Sequence, residues 1–222
     1  MQKRGTLDCL SFGKFLSIEN IPWFPSCRWS RFNRLWDCIC DRLERTSSSY
    51  YYAKYRARHS LNVAELVDTF AKEQGWPRWK RDTAVVAALL HDCEKFRHPK
   101  WHEVAAAQYI ERKSEKLESL LPNKCSVDFA IVAEAVCLHA GEWRPQLAAM
   151  LQEDDIDGFD VAVILRIADK LAHPGREYKA YDAVEDTMSV LRKVCRRYAL
   201  LLYFYETALY DFVEVHTDRI AQ

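Results

Sequence analysis

The chain has 222 residues, 49% of them hydrophobic and 29% charged, with 6 Gly and 7 Pro. That composition excludes a disordered, collagenous or turn-dense all-β protein and suits one well-buried domain with a flanking extension. The 32 Lys and Arg balance the 32 Asp and Glu, so the whole-chain field offers nucleic acid no general attraction and any anion binding must be local.

Residues 1–25 mix aromatic, polar and charged side chains without a sustained period, and Pro22 and Pro25 impose extended geometry, so this stretch reads as an arm. From 29 to 45, Trp29, Phe32, Leu35, Trp36, Ile39, Cys40 and Leu43 recur at intervals of three and four, one face of an amphipathic helix that residues 46–49 break. Tyr50, Tyr51, Tyr52 and Tyr55 then alternate with Lys54, Arg56 and Arg58. The preferred reading packs these rings on the core; the alternative uses them to stack a base or steer phosphate.

A helix is expected over 59–74, stopped by Gly75 and restarted after Pro77. Residues 82–92 continue with Ala84 to Leu90, apolar nearly all round, which demands neighbours on several sides. Further helical patterns run over 101–121, 127–139, 159–171 and 187–215. Connections fall near Gly75-Trp76-Pro77, Pro122-Asn123, residues 141–145 and His173-Pro174-Gly175. No segment shows bounded period-2 alternation. The expected fold is all-α: an extension over 1–50, a helical bundle over 51–185 and one long C-terminal helix over 186–222.

The most apolar stretch, 198–205, is interrupted by Glu206 and Asp211, well short of the roughly 20 residues that cross a bilayer. Lys14 and Glu19 interrupt any secretory apolar run. The 8 cysteines show no Cys-x-x-Cys pair, which favours a reducing compartment and a cytoplasmic protein. Cys38-Ile39-Cys40 reads as core, the acidic run Glu153-Asp154-Asp155-Asp157 as a solvated loop without the order of a calcium loop, and Arg192, Lys193, Arg196 and Arg197 as a solvated basic face.

The chemistry-bearing residues are His59, the His91-Asp92 doublet, His102, His139 and Asp169, each at or near the end of an expected helix. One histidine on an apolar face is usually a satisfied core residue; five such positions together point to a metal. Imidazoles and carboxylates suit borderline first-row ions, and a carboxylate can bridge two of them. Adjacent helical residues point about 100° apart, so His91 and Asp92 serve one site only if the helix ends there or the Asp leans across. Lys95 is a candidate anion contact. His98 lies in an expected loop and competes with His102, which is preferred because Ala105 to Ala107 follow it. His173 is expected to meet backbone or solvent, and His216 to lie in a fraying end.

Five separated stretches, Arg58-His59-Ser60-Leu61-Asn62-Val63, Ala88-Leu89-Leu90-His91-Asp92-Cys93-Glu94-Lys95, His102-Glu103-Val104-Ala105-Ala106-Ala107, Leu138-His139 and Ile167-Ala168-Asp169, resemble the HD-domain metal-dependent phosphohydrolases over residues 55–182. The run beginning at His102, and Ala168-Asp169-Lys170 followed by Pro174-Gly175-Arg176, are similar to the branch of bacterial symmetrical diadenosine tetraphosphate hydrolases. The resemblance implies a helical bundle with two divalent transition-metal ions (Fe, Mn, Co, Ni or Zn). His59, His91, Asp92 and Asp169 would hold the first, Asp92 would bridge, and His102 and His139 would complete the second. Lys95 and Arg176 would bind phosphate, and the substrate would be a nucleotide or dinucleotide phosphate split by a metal-activated hydroxide.

The extension before His59, the charged stretch 111–118 and the C-terminal segment depart from that branch. A single-strand nuclease, a di-iron oxygenase and a non-catalytic nucleotide- or partner-binding module are the competing functions. Homodimerisation through the C-terminal segment is a further alternative, without a clear heptad pattern behind it.

Overall fold

The computed structural model describes residues 30–141, 143–173, 178–194 and 199–220; the expected arm, Arg176, Cys9, Cys27 and Cys195 lie outside them. Among the described residues there are nine α-helices and no strand, so the all-α expectation holds. They are α1 (Asn33–Thr46), α2 (Tyr50–Glu73), α3 (Arg78–Leu90), α4 (His102–Glu118), α5 (Phe129–Leu138), α6 (Arg144–Gln152), α7 (Ile156–Leu171), α8 (Tyr178–Val194) and α9 (Ala199–Ile220).

The bundle is organised around α3, whose residues from Ala84 to Leu90 are all fully buried. It packs against α2, α5 and α7, and also meets α1, which supplies the several-sided cover that its apolar circumference requires. The stripe on α1 docks Leu35, Trp36, Ile39, Cys40 and Leu43 into the same core. Local chemistry sets the helix ends. Gly75, at φ +65°, ends α2 in a Schellman arrangement: Gly75 N–H donates to Lys72 O and Trp76 N–H to Ala71 O. Asp128 caps α5 by accepting from the amides of Ala130 and Ile131. Asp155 caps α7 by accepting from Gly158 N–H; a Cβ on Gly158 would stand 2.2 Å from Asp155 Oδ2, so only glycine leaves room for this cap.

Several expectations are corrected. α2 begins at Tyr50, nine residues before the expected start at His59, and it leaves Tyr51 81%, Tyr52 64% and Tyr55 48% exposed where packing on the core was expected. α6 fills a stretch to which no helix was assigned, overlapping the expected 141–145 connection at its first two residues; its Arg144-Pro145 start is a normal first turn. The C-terminal segment is two helices rather than one. Arg192 bonds Glu206, and Tyr210 donates to Glu185, so α8 and α9 run antiparallel as a hairpin. His216 is buried on α9, its ring 4.5 Å from that of Phe212, and does not sit in a fraying end. The acidic run is partly structural: Asp155 is the cap, and Asp157 joins Asp160 in enclosing the buried Lys80 ammonium, at 2.7 and 2.5 Å. No described helix is long and apolar enough to cross a membrane.

Truncating the central helix tests the packing argument. Leu89→Ala is expected to cost about 2–5 kcal/mol, from lost transfer energy plus a residual cavity. The urea midpoint should fall with an unchanged m-value.

Candidate metal centre

Helix ends build the site. The last carbonyls of a helix have no intrahelical partner, and two histidines use this: His91, just past α3, donates Nδ1–H to Ala88 O at 2.7 Å, and His139, just past α5, donates Nδ1–H to Val136 O at 2.6 Å. A carbonyl can only accept, so both rings carry their proton on Nδ1 and turn the Nε2 lone pair inward. α3 ends at Leu90, and tight turns follow in which Cys93 N–H reaches Leu90 O and Lys95 N–H reaches Asp92 O. That ending meets the condition set by the 100° divergence: His91 and Asp92 both face one cluster. α2 contributes His59 and Arg56, the first residue of α4 is His102, and the last turn of α7 carries Asp169 and Lys170.

All six expected ligands come together, each at most 6% exposed. Asp169 Oδ1 lies 3.0 Å from His59 Nε2 and 3.6 Å from His91 Nε2. Asp92 Oδ2 lies 3.7 Å from His91 Nε2, while Asp92 Oδ1 lies 3.3 Å from His102 Nε2 and 4.0 Å from His139 Nε2. The latter two nitrogens are 3.2 Å apart. His59, His91 and Asp169 form one group able to hold a metal ion, and His91, Asp92 and His139 another. The test of fit is His91 Nε2, buried without a hydrogen-bond partner and facing two carboxylates that are themselves acceptors. Converging buried acceptors are unfavourable unless a cation lies between them, and this nitrogen and oxygen donor set suits a borderline divalent ion.

The electrostatics agree. Burial opposes the Asp92 anion, but His91, His139 and Lys95 overcome it and hold the carboxyl well below its usual range. Burial likewise opposes the Asp169 anion, but the hydrogen bond from His59 and the nearby charges of Lys170 and His91 hold its carboxyl well below the usual range. Burial, reinforced by His91, pushes His139 down to about 3; for His91, burial is outweighed by Asp92 and Asp169 and the pKa rises. The cluster opens into a cavity of about 200 Å³ lined also by Arg56, Lys95, Lys170, His173 and Lys179.

Residues 56–173, just over half of the chain, match the HD domain family. The chain belongs to that family. HD domains bind divalent metals, and the family is mostly metal-dependent hydrolases. No curated protein and no solved structure matches the chain.

Some site residues of this HD domain were not anticipated. His173 does not meet solvent or backbone alone: it stacks on His59 at 4.2 Å between centroids, and its Nε2 is 3.8 Å from Asp169 Oδ1. Its spacing of four from Asp169 on a helical register was the available signal. Arg56 donates to Asp92 Oδ2 at 2.8 Å; it precedes His59 by three, hence shares its face, but stood hidden in a basic stretch. Glu103 Oε2 lies 3.1 Å from His102 Nδ1, a carboxylate that orients the ring. His98 stacks on Trp101 at 4.0 Å and plays no part in the cluster. Lys95 Nζ sits 2.8 Å from His102 Nε2 and 3.9 Å from Asp92 Oδ1. Arg176 lies outside the described residues.

The sign of the pH dependence follows from these shifts. Folded His139 protonates near pH 3, and His173, lowered by burial and by His59, near 4, whereas unfolded histidine protonates near 6.5. The unfolded chain therefore binds more protons below about pH 6.5. The lowered Asp92 and Asp169 add a contribution that is lost only in stronger acid, and the raised His91 acts in the opposite sense, its contribution being lost as pH rises past the ordinary histidine range. For chelator-treated protein, the urea midpoint should fall steadily from about pH 6.5 to 4. His139→Gln should flatten that slope by up to about 1.4 kcal/mol per pH unit.

Proposed function

We propose that the chain is a metal-dependent phosphohydrolase acting on a nucleotide or dinucleoside polyphosphate, as the resemblance to symmetrical diadenosine tetraphosphate hydrolases suggests. The observation that carries the reading is the buried, partnerless His91 Nε2 facing Asp92 and Asp169, two carboxylates of a pocket that Arg56, Lys95, Lys170 and Lys179 also line. His59, His91, Asp92 and Asp169 would hold one ion; Asp92 would bridge to a second on His102 and His139. When bound, divalent ions supply Lewis acidity toward a phosphoryl oxygen and lower the pKa of a water toward neutrality.

The protein's own groups account for the substrate preference. Arg56 and Lys95 now lean on Asp92, and Lys170 on Asp169. With those carboxylates engaged by a divalent ion, each of these pairings would be weaker, and the three cations, with Lys179, would be available to successive phosphates. Lys95 Nζ lies 2.8 Å from His102 Nε2; if His102 held an ion, that lone pair would no longer be open to Lys95, and its ammonium would be available to a phosphoryl oxygen. Tyr55, whose hydroxyl is 3.5 Å from His173 Nδ1, stands at the rim where a base would stack. Cationic walls favour phosphate over the substrates of a di-iron oxygenase. Exposed Tyr51 and Tyr52 beside Lys54 and Arg58 support single-strand cleavage as the second reading. The free thiols of Cys38, Cys40, Cys93, Cys125 and Cys137 fit a cytoplasmic setting.

Metal content per chain, measured by mass spectrometry on protein purified without chelator, should be about two and fall to about one in His102→Ala; wild-type protein that retains none after reconstitution with Fe, Mn, Co, Ni and Zn would favour a binding module. On a nucleotide panel, nucleoside diphosphate release supports the proposal and oligonucleotide cleavage the nuclease. Asp92→Ala should abolish turnover, and full activity in that variant would end the mechanism. Lys95→Ala should raise KM for phosphate substrates by roughly 10-fold or more, the scale of one lost charge-assisted hydrogen bond.

A further inference from the structure

A second cavity, of about 500 Å³, lies between α1, the turn after the His91-Asp92 doublet and α4, and shares no lining residue with the metal pocket. Its walls carry Arg42, Arg45, Arg97 and Lys116, together with Tyr109 and Cys38. We propose that it is a separate anion site for a phosphate-bearing small molecule, which it binds without hydrolysing.

The charge arrangement carries the argument. Arg42 pairs with Glu94, which is 2% exposed, and its guanidinium lies over the Tyr109 ring at 3.7 Å. Both contacts fix the fork in place, and Arg42 Nε is buried without a hydrogen-bond partner, so one donor of a guanidinium that borders the cavity is left uncompensated. Arg45 is held by Asp41 at 2.8 Å in an exposed i,i+4 pair, the kind of contact that contributes little and yields readily to a better acceptor. Arg97 and Lys116 have no ion-pair partner among the described residues. Asp41 is the only carboxylate in the lining, so converging cations on three separate elements outnumber it. Their mutual repulsion is relieved by a bound anion.

Phosphate fits this wall better than a point anion, because guanidinium forks match its several oxygens and a lysine adds a mobile charge. The volume admits an attached organic group. None of the cavity's residues belongs to the histidine and aspartate cluster, so no divalent ion would stand beside the bound phosphate to activate a nucleophile. The turn that sends Lys95 into the metal pocket sends Arg97 into this one.

The test is isothermal titration of the metal-replete full chain with inorganic phosphate, for wild type, Arg97→Ala/Lys116→Ala and Lys95→Ala. Arg97 and Lys116 are exposed, so the double variant should fold; Arg97→Gln/Lys116→Gln, which keeps side-chain length, checks this. Wild type should show two binding events. The double variant should lose one, or weaken it more than about 10-fold, as expected for two removed charge-assisted contacts, while metal-dependent turnover keeps its kcat. Lys95→Ala should retain the event that the double variant loses. Wild-type affinity and stoichiometry in the double variant would overturn the site, as would loss of all phosphate binding in Lys95→Ala. Because turnover is read separately, failure of the second site leaves the hydrolase proposal standing, and the reverse also holds.

Discussion

The rest of the structure depends on one electrostatic constraint: a buried imidazole lone pair, His91 Nε2, faces the carboxylates of Asp92 and Asp169 at 3.7 and 3.6 Å. Three acceptors that converge away from water have no favourable arrangement among themselves. Every neighbour acts to offset them. Arg56 and Lys95 reach Asp92, Lys170 reaches Asp169, and His59 reaches Asp169 from α2. The backbone takes part as well, since Ala88 O and Val136 O each hold a ring proton on the far side of its imidazole. The apolar circumference of α3 is the scaffold side of the same constraint: a doublet this deeply buried requires the helix that delivers it to be covered on all sides.

Helix termination is the device that assembles the cluster. A residue in the middle of a helix has its backbone groups satisfied and its side-chain direction set by the register. A residue just past the end has neither restriction, and the terminal carbonyls need donors. His91 and His139 follow the ends of α3 and α5, and His102 opens α4. Gly141, at φ +68°, turns the chain after His139 where a Cβ would meet Glu103 Oε1 at 3.0 Å. The carboxylate that orients His102 and the turn that follows His139 thus occupy adjoining space, which ties the two ends together.

The sequence made the strongly periodic elements and the ligands readable, for reasons that also explain what it hid. α1 and α3 announce themselves because burial on one face, or on all faces, leaves a pattern in residue type. The six candidate ligands are readable as a group because His and Asp are costly to bury, so their placement beside apolar runs is informative. α6 carries only a short pattern, with Leu147, Met150 and Leu151 buried, and resembles a loop. The division between α8 and α9 has no Gly or Pro to mark it: the residues between Val194 and Ala199 are Cys195, Arg196, Arg197 and Tyr198. Cross-hairpin contacts such as Arg192 with Glu206 are tertiary and leave no periodic trace. Arg56 and His173 were hidden for the opposite reason. Each belongs to a residue type common at surfaces or in loops, so its spacing from His59 or Asp169 is a weak signal that only the three-dimensional approach to Asp92 or His59 makes decisive.

A chain with equal numbers of acidic and basic residues can still bind anions strongly if its charges are segregated by depth. Here the deeply buried carboxylates Asp92, Asp169 and Glu94 each hold cations inward, Arg56 and Lys95 on the first, Lys170 on the second and Arg42 on the third. Those cations line two cavities on either side of the turn that follows α3. The buried carboxylates position the cations without cancelling their outward field, because an Arg fork or an ammonium keeps donors free after one pairing. Positioning in advance matters more than net charge: a fixed guanidinium loses less freedom on binding phosphate than a solvated one. Local preorganisation of this kind reconciles a neutral chain with two cation-lined pockets, and it assigns Glu94 and Asp92, two residues apart on one turn, parallel structural tasks.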